Sequence, residues 1–245
     1  MPSGLSFCVV IPMFNEEAVA EKCVRMVYKA LDAIPYWNAL IIVNDSSNDE
    51  TGSILARLKP EYNRLAILTH KQNAGYGGAL KTGIKRAISE SFDYVLFMDS
   101  DLTNDPKYIP YFVEKMLDGY DVIKASRYIH GGAVEGVPLY KVVISFIGNK
   151  IAKFLFGLPL TDCTNGFRAV KTNILSQMTL SESAFPIIME ELYHCKFLAK
   201  SFCEIPVTLT NRGRNQRPSS FAYRPGIFYR YLKYPVKSFL HIKPS

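Results

Sequence analysis

Tryptophan occurs once in the 245 residues, at Trp37, and cysteine five times with no CxxC pair. Cys8, Cys23, Cys163, Cys195 and Cys203 are odd in number and widely scattered. That pattern argues against a disulfide framework or a cysteine zinc site, and for a reducing compartment. Long apolar runs are missing too: no stretch reaches the roughly 18 uninterrupted apolar residues needed to span a bilayer. The most apolar region, residues 137–160, is broken by Lys141, Asn149, Lys150 and Lys153. The first apolar run, Phe7 to Ile11, lacks a basic flank and ends in Pro12, so it does not read as a signal peptide. Repeats and low-complexity tracts are absent. These gaps lead to the expectation of a cytoplasmic protein, soluble or peripheral to a membrane.

What is present suits one large domain with a short appendage. Hydrophobic residues make up 48% and charged residues 21%, enough apolar surface for a core. The net charge of +7 favours an anionic partner without choosing among nucleotide, lipid phosphate, membrane surface and nucleic acid.

Phe7 to Ile11, Ala39 to Val43, Leu65 to Thr69 and Tyr94 to Met98 are continuous apolar or β-branched runs. Unbroken apolarity marks strands buried on both faces, as in a parallel sheet. Helical spacing covers 16–33, 50–58 and 78–89, with Asn15 expected to cap the first helix and Ser47 with Glu50 to form a capping box on the second. The order βαβαβαβ predicts an open, mostly parallel α/β sheet flanked by helices. Further on, 107–117, 139–156 and 186–199 read as helices, 121–125 and 203–209 as strands, and 126–136 and 161–170 as loops.

Ligands of such sheets sit beyond the carboxyl ends of the strands. Four segments converge there: residues 12–16, 44–49, 73–78 and 99–101. Asp99-Ser100-Asp101 at a strand end can offer two carboxylates to one hard cation, Mg²⁺ or Mn²⁺, which takes its other ligands from water and substrate phosphates; it serves equally as a turn cap. The glycine-rich run 73–78, with Gly75, fits neither the dinucleotide fingerprint nor the P-loop. It reads as a tight turn packed on its surroundings or as backbone contact to a ligand. Asp45 can accept hydrogen bonds from a base or ribose, or cap its loop. Arg127, Arg168, Arg212, Arg214 and Arg217 lie in loop-like segments where guanidinium forks suit phosphate; Arg214 and Arg217 are read as solvated charges.

These motifs stand in the order of a known family. Val9-Val-Ile-Pro-Met-Phe-Asn-Glu16, Val43 to Thr51, Asn73 to Ala79, Met98-Asp-Ser-Asp-Leu102, Ala125-Ser-Arg-Tyr128 with Gly131-Gly132, and Asp162-Cys-Thr-Asn-Gly-Phe-Arg168 together resemble the family-two inverting glycosyltransferases of GT-A fold, dolichol-phosphate mannosyltransferase-like branch. The resemblance covers about residues 6–213. It implies a single GT-A domain over 1–212, followed by a basic aromatic tail over 213–245. It assigns Pro12, Phe14, Glu16 and Asp45 to the nucleotide pocket, Gly75 and Ser100 to substrate binding, Asp99 and Asp101 to the metal, and Arg127 to a mobile loop over the acceptor phosphate. Arg168 and Arg212 match positions near substrate phosphates, and Glu190 an acidic site residue. Asn44, Thr103 and Asn165 depart from the usual pattern, where Asp, Gln and Ser are common. The Gln-x-x-Arg-Trp motif of processive polysaccharide synthases is missing.

The implied reaction moves a hexose from a GDP- or UDP-linked donor to a polyprenyl or dolichyl phosphate, with a nucleotide-sugar and a lipid phosphate as partners, no nucleic acid, and contact with the cytoplasmic face of a membrane. Three alternatives stay open: the same fold acting on a sugar hydroxyl with Glu190 or Glu191 as base, a nucleotidyltransferase, and a basic binding module.

Overall fold

The computed structural model describes residues 4–213 and 225–244; Arg214, Arg217 and the start of the aromatic tail at Tyr223 lie outside them. The elements run β1 (Ser6–Met13), α1 (Ala20–Asp32), β2 (Trp37–Asn44), α2 (Thr51–Leu58), β3 (Leu65–Thr69), α3 (Gly75–Ser89), β4 (Tyr94–Phe97), α4 (Ile109–Leu117), β5 (Val122–Ser126), β6 (Ala133–Val134), α5 (Leu139–Phe156), β7 (Arg168–Lys171), α6 (Thr172–Leu175), α7 (Ile187–Leu198), β8 (Phe202–Pro206), β9 (Thr208–Leu209) and α8 (Pro225–Phe239). Seven strands form one sheet in the order β3-β2-β1-β4-β7-β5-β8, and β6 pairs with β9 beside it.

The period of two along a strand builds two cores from one sheet. Phe7, Val9 and Ile11 of β1 face α1, α2 and α4. Cys8 and Val10, pointing the other way, meet α3, α6 and α7. Both sets are fully buried, which is why the run shows no polar alternation. Gly83 of α3 is required by this packing, since a Cβ there would stand 2.3 Å from Val10 Cγ1.

The mostly parallel sheet agrees with the sequence reading, with one exception in kind. β7 was expected to be part of a loop, yet it runs antiparallel between β4 and β5, pairing Phe97 with Arg168 and Lys124 with Arg168. The strand expected over 203–209 is interrupted at Val207 and contributes to both sheets. α1 starts at Ala20 rather than at residue 16, and Asn15 does not cap it. Instead Asn15 Oδ1 accepts the Asn48 amide, and Ser47 Oγ accepts the Asn15 amide. The capping box is likewise not formed: Thr51 N, at the start of α2, donates to Asp49 Oδ1. The polar residues expected at helix ends thus tie the loops after β1 and β2 to each other.

α8 packs against α5 and α7, with Tyr234 buried beside Tyr193. Among the described residues no helix is long and apolar enough to cross a membrane.

Candidate active site

The loops at the carboxyl edge of the sheet carry unusual backbone. Asn15, Ser46 and Leu102, following β1, β2 and β4, all have positive φ. For a bulky residue such as Leu102 that conformation costs roughly 1–3 kcal/mol and persists only where neighbours enforce it. Thr103 does so, donating through both N and Oγ1 to Asp101 Oδ1 at 3.0 and 2.8 Å.

These loops wall a cavity of about 1100 Å³ whose lining includes Pro12, Phe14, Glu16, Asp45, Asp99 and Asp101. Gly75, Ser100, Arg127 and Arg212 line it as well. Its apolar lining comes from Ile144, Ile147 and Ile151 of α5, Met189 of α7, and Phe228 and Leu232 of α8.

Asp99 is held by Tyr76, whose hydroxyl donates to Oδ1 at 2.9 Å. Burial, and then the neighbouring charge of Asp101, push the Asp99 carboxyl up to about 6. A Cβ on Gly166 would stand 3.0 Å from Asp99 Oδ2 and 3.2 Å from the Tyr76 hydroxyl, so a side chain there would crowd the carboxylate. Asp101 Oδ2 meets Arg212 Nη2 at 2.8 Å, and the same guanidinium lies 3.9 Å from Glu16 Oε1. Among the described residues no group of three or more His, Cys, Asp or Glu side chains is placed to hold a metal.

Asp45 holds the glycine-rich turn together. Its Oδ1 accepts the Ala74 amide and contacts His70 Nδ1, while Oδ2 accepts the Gly75 amide. Gly77 N donates to Ser183 O. These N-terminal amides of α3, the groups that would cradle a phosphate, are thus engaged by the protein itself. Of the two readings of this turn, the geometry gives close packing: Gly75 has φ +79°, and a Cβ there would stand 2.3 Å from Ser183 O. Gly75→Ala is expected to destabilise the fold by about 1–3 kcal/mol, measured as a shift in the urea midpoint; an unchanged midpoint would contradict this packing.

Three sequence candidates are placed differently from one another. Arg127 lines the cavity and is gripped by Asp162 through Nε and Nη2 at 2.6 and 2.8 Å. Burial opposes the charge of Asp162, yet Arg127 prevails and holds its carboxyl below the usual range. Arg168 does not line the cavity. It is fully buried, donates to both oxygens of Glu191 at 2.5 and 2.6 Å, and stacks over Phe97. Glu190 also lies outside the lining: its carboxylate accepts from Ser181 N, Ser181 Oγ and Glu182 N.

Tyr76 and Asp162 stand in motifs that the sequence analysis singled out, but their partners become visible only when β4, α3 and the 161–166 loop meet. Lys124 did carry a signal. A lysine in the otherwise apolar run Val122 to Ala125 marks a buried polar contact, and Nζ donates to Cys163 O and Asn165 O.

An open α/β sheet whose Asp-x-Asp lines a cavity at its carboxyl edge is the architecture of a GT-A glycosyltransferase. The fold matches glucosyl-3-phosphoglycerate synthase from Mycobacterium tuberculosis, a structure in complex with Mn²⁺, UDP and glucosyl-3-phosphoglycerate, at a TM-score of 0.67 and 19% identity over 99% of this chain and 82% of that one. The chain belongs to Glycosyl transferase family 2, whose profile matches residues 8–179. Dolichol-phosphate mannosyltransferase from Pyrococcus furiosus is 29% identical over 212 residues, 85% of this chain. The match spans 57% of that enzyme's length. Polyprenol monophosphomannose synthase from Mycolicibacterium smegmatis is 27% identical over 83% of this chain and 77% of its own. Undecaprenyl-phosphate mannosyltransferase from Micrococcus luteus is 27% identical over 83% of each.

Proposed function

We propose that this enzyme transfers a hexose, with inversion, from a GDP- or UDP-linked donor to a polyprenyl phosphate. The observation that carries the reading is the mixed lining of the cavity, carboxylates and arginines together with helix-borne isoleucines. A lipid phosphate needs cations for its head and an apolar wall for its chain; a sugar hydroxyl needs a base and a polar groove. The candidate bases support the lipid phosphate, because Glu190 is engaged by the 181–182 backbone and Glu191 by Arg168.

The pair Asp99 and Asp101 fits Mg²⁺ or Mn²⁺ in the manner of a site with few protein ligands, completed by water and the donor diphosphate. The repulsion that raises Asp99 is the kind a shared cation relieves. When bound, such a cation neutralises charge on the departing diphosphate. Glu16 and Asp101 orient Arg212 beside this pair. Pro12, Phe14, Asp45, Gly75 and Ser100 bound the donor pocket, and Arg127, aimed by Asp162, faces the acceptor phosphate. Arg168 acts from behind, as a buried countercharge. A phosphate monoester has a second pKa near 6 and is largely dianionic at neutral pH, so the chain needs to supply no strong base. Much of the catalysis is then positioning.

The test is incubation with a panel of nucleotide-sugars, a mannosyl donor first, and polyprenyl phosphate, with products read by mass spectrometry. Transfer only to water or to a sugar hydroxyl would overturn the assignment.

The acceptor's chain calls for a lipid surface beside the cavity. Leu139, Tyr140 and Phe154 of α5 are exposed, as are Tyr229 and Phe239 of α8, and Phe154 and Phe239 meet at 6.0 Å. Lys141, Lys150 and Lys153 interleave with the apolar residues of α5. Such basic apolar segments lie in a bilayer interface, here the cytoplasmic face. Co-sedimentation with anionic liposomes is expected, weakening as salt rises; absence of co-sedimentation at low salt would remove this part of the reading.

A further inference from the structure

Glu182 sits in the loop between α6 and α7 and is 8% exposed. Among the described residues its side chain is held from α8: Arg230 Nη2 pairs with Oε2, the Tyr234 hydroxyl donates to Oε1 at 2.9 Å, and Lys233 Nζ lies 3.8 Å from Oε1. Its backbone is held from the opposite direction. Glu182 N donates to Glu190 Oε2, and Glu182 O would stand 2.4 Å from a Cβ on Gly77. The next residue accepts the Gly77 amide at 2.9 Å. Two residues further, Phe185 stacks on Tyr76 with ring centroids 4.6 Å apart, and the Tyr76 hydroxyl reaches Asp99. An unbroken path of contacts thus leads from the C-terminal helix to the glycine-rich turn and the carboxylate pair.

We infer that Glu182 is a positioning residue through which α8 holds the packed 75–78 turn, and with it Tyr76 and Asp99, in the geometry that binds the donor nucleotide's cation. The inference deepens the proposed function and rests on its assignment of Asp99 to the cation of the donor half. The joint couples the helix proposed to touch lipid with the pocket proposed to take the donor, because the 181–185 loop cannot follow one partner without moving against the other. The path joins hydrogen bonds, ion pairs and a ring stack through the tight approach of Glu182 O to Gly77, so loss of one end is expected to loosen the other.

The experiment compares Glu182→Gln and Tyr234→Phe with Ser238→Ala. The last removes another α8 anchor, the hydroxyl that Lys196 Nζ contacts at 2.8 Å, away from the joint. Two readouts are taken on the full chain: amide hydrogen exchange at Gly77, and the calorimetric affinity for UDP and for GDP with Mn²⁺. Exchange at Gly77 should speed in the first two variants and not in Ser238→Ala. The affinity of whichever nucleotide binds should fall about fivefold or more, within the usual span of coupling between sites, and the double variant should be no worse than Glu182→Gln alone. Unchanged exchange at Gly77, or an equal effect of Ser238→Ala, overturns the joint. Exchange that responds as expected in a protein binding neither nucleotide upholds the joint as a structural link and overturns the functional reading instead.

Discussion

Asp101→Asn is expected to abolish sugar transfer and the Mn²⁺-dependent binding of a nucleoside diphosphate while leaving the fold intact. The substitution keeps one amide oxygen to accept from Thr103, so the turn at Leu102 survives. It removes the negative charge that faces Arg212 and half of the carboxylate pair. Cation stabilisation of a departing diphosphate is worth several kcal/mol, so a loss on the order of a thousandfold in turnover is the scale to look for. Single-turnover transfer and calorimetric titration of nucleotide with and without Mn²⁺ measure it. Near-normal activity would remove the metal from the mechanism.

Arg127→Ala against Glu190→Gln separates the two acceptor chemistries. With a phosphate acceptor, losing the guanidinium leaves two anionic groups to approach each other uncompensated, and transfer should fall about a hundredfold or more. Glu190→Gln removes no proton acceptor that reaction needs and should only weaken the enzyme by loosening Ser181. Arg127 also neutralises the buried Asp162, and an orphaned buried charge destabilises by roughly 3–5 kcal/mol. Arg127→Ala with Asp162→Asn is therefore the fairer variant, checked for folding by circular dichroism. The reverse outcome, Glu190→Gln inactive and the Arg127 variants near normal, would favour a sugar hydroxyl as acceptor.

The first four strands, and the convergence of their following loops, were legible in the sequence because buried parallel strands are written as continuous apolar runs. β7 was not. It has four residues, Arg168-Ala-Val-Lys171, and its charged ends look like loop until Glu191 and Asp121 are known to neutralise them. The same blindness affects Arg168: a motif position cannot tell an arginine that meets substrate from one that meets Glu191. Cap residues misled for a related reason. Asn15, Ser47 and Asp49 have the chemistry of helix starts, but two neighbouring loops compete for them, and cross-loop bonds won at Asn15 and Ser47. α8 escaped notice because Pro235 interrupts its pattern and its buried face is small.

β7 also governs what the site can become. Since it enters the sheet against the direction of its neighbours, the loop before it, rather than the one after, arrives at the carboxyl edge. Residues 161–166 thereby reach Asp99 and Arg127 from a part of the chain separate from the turns that follow β1 to β3. The site is thus assembled from two separate stretches of chain that meet at Asp99. A change at Gly166 is therefore felt at Asp99 although the two adjoin strands of opposite direction.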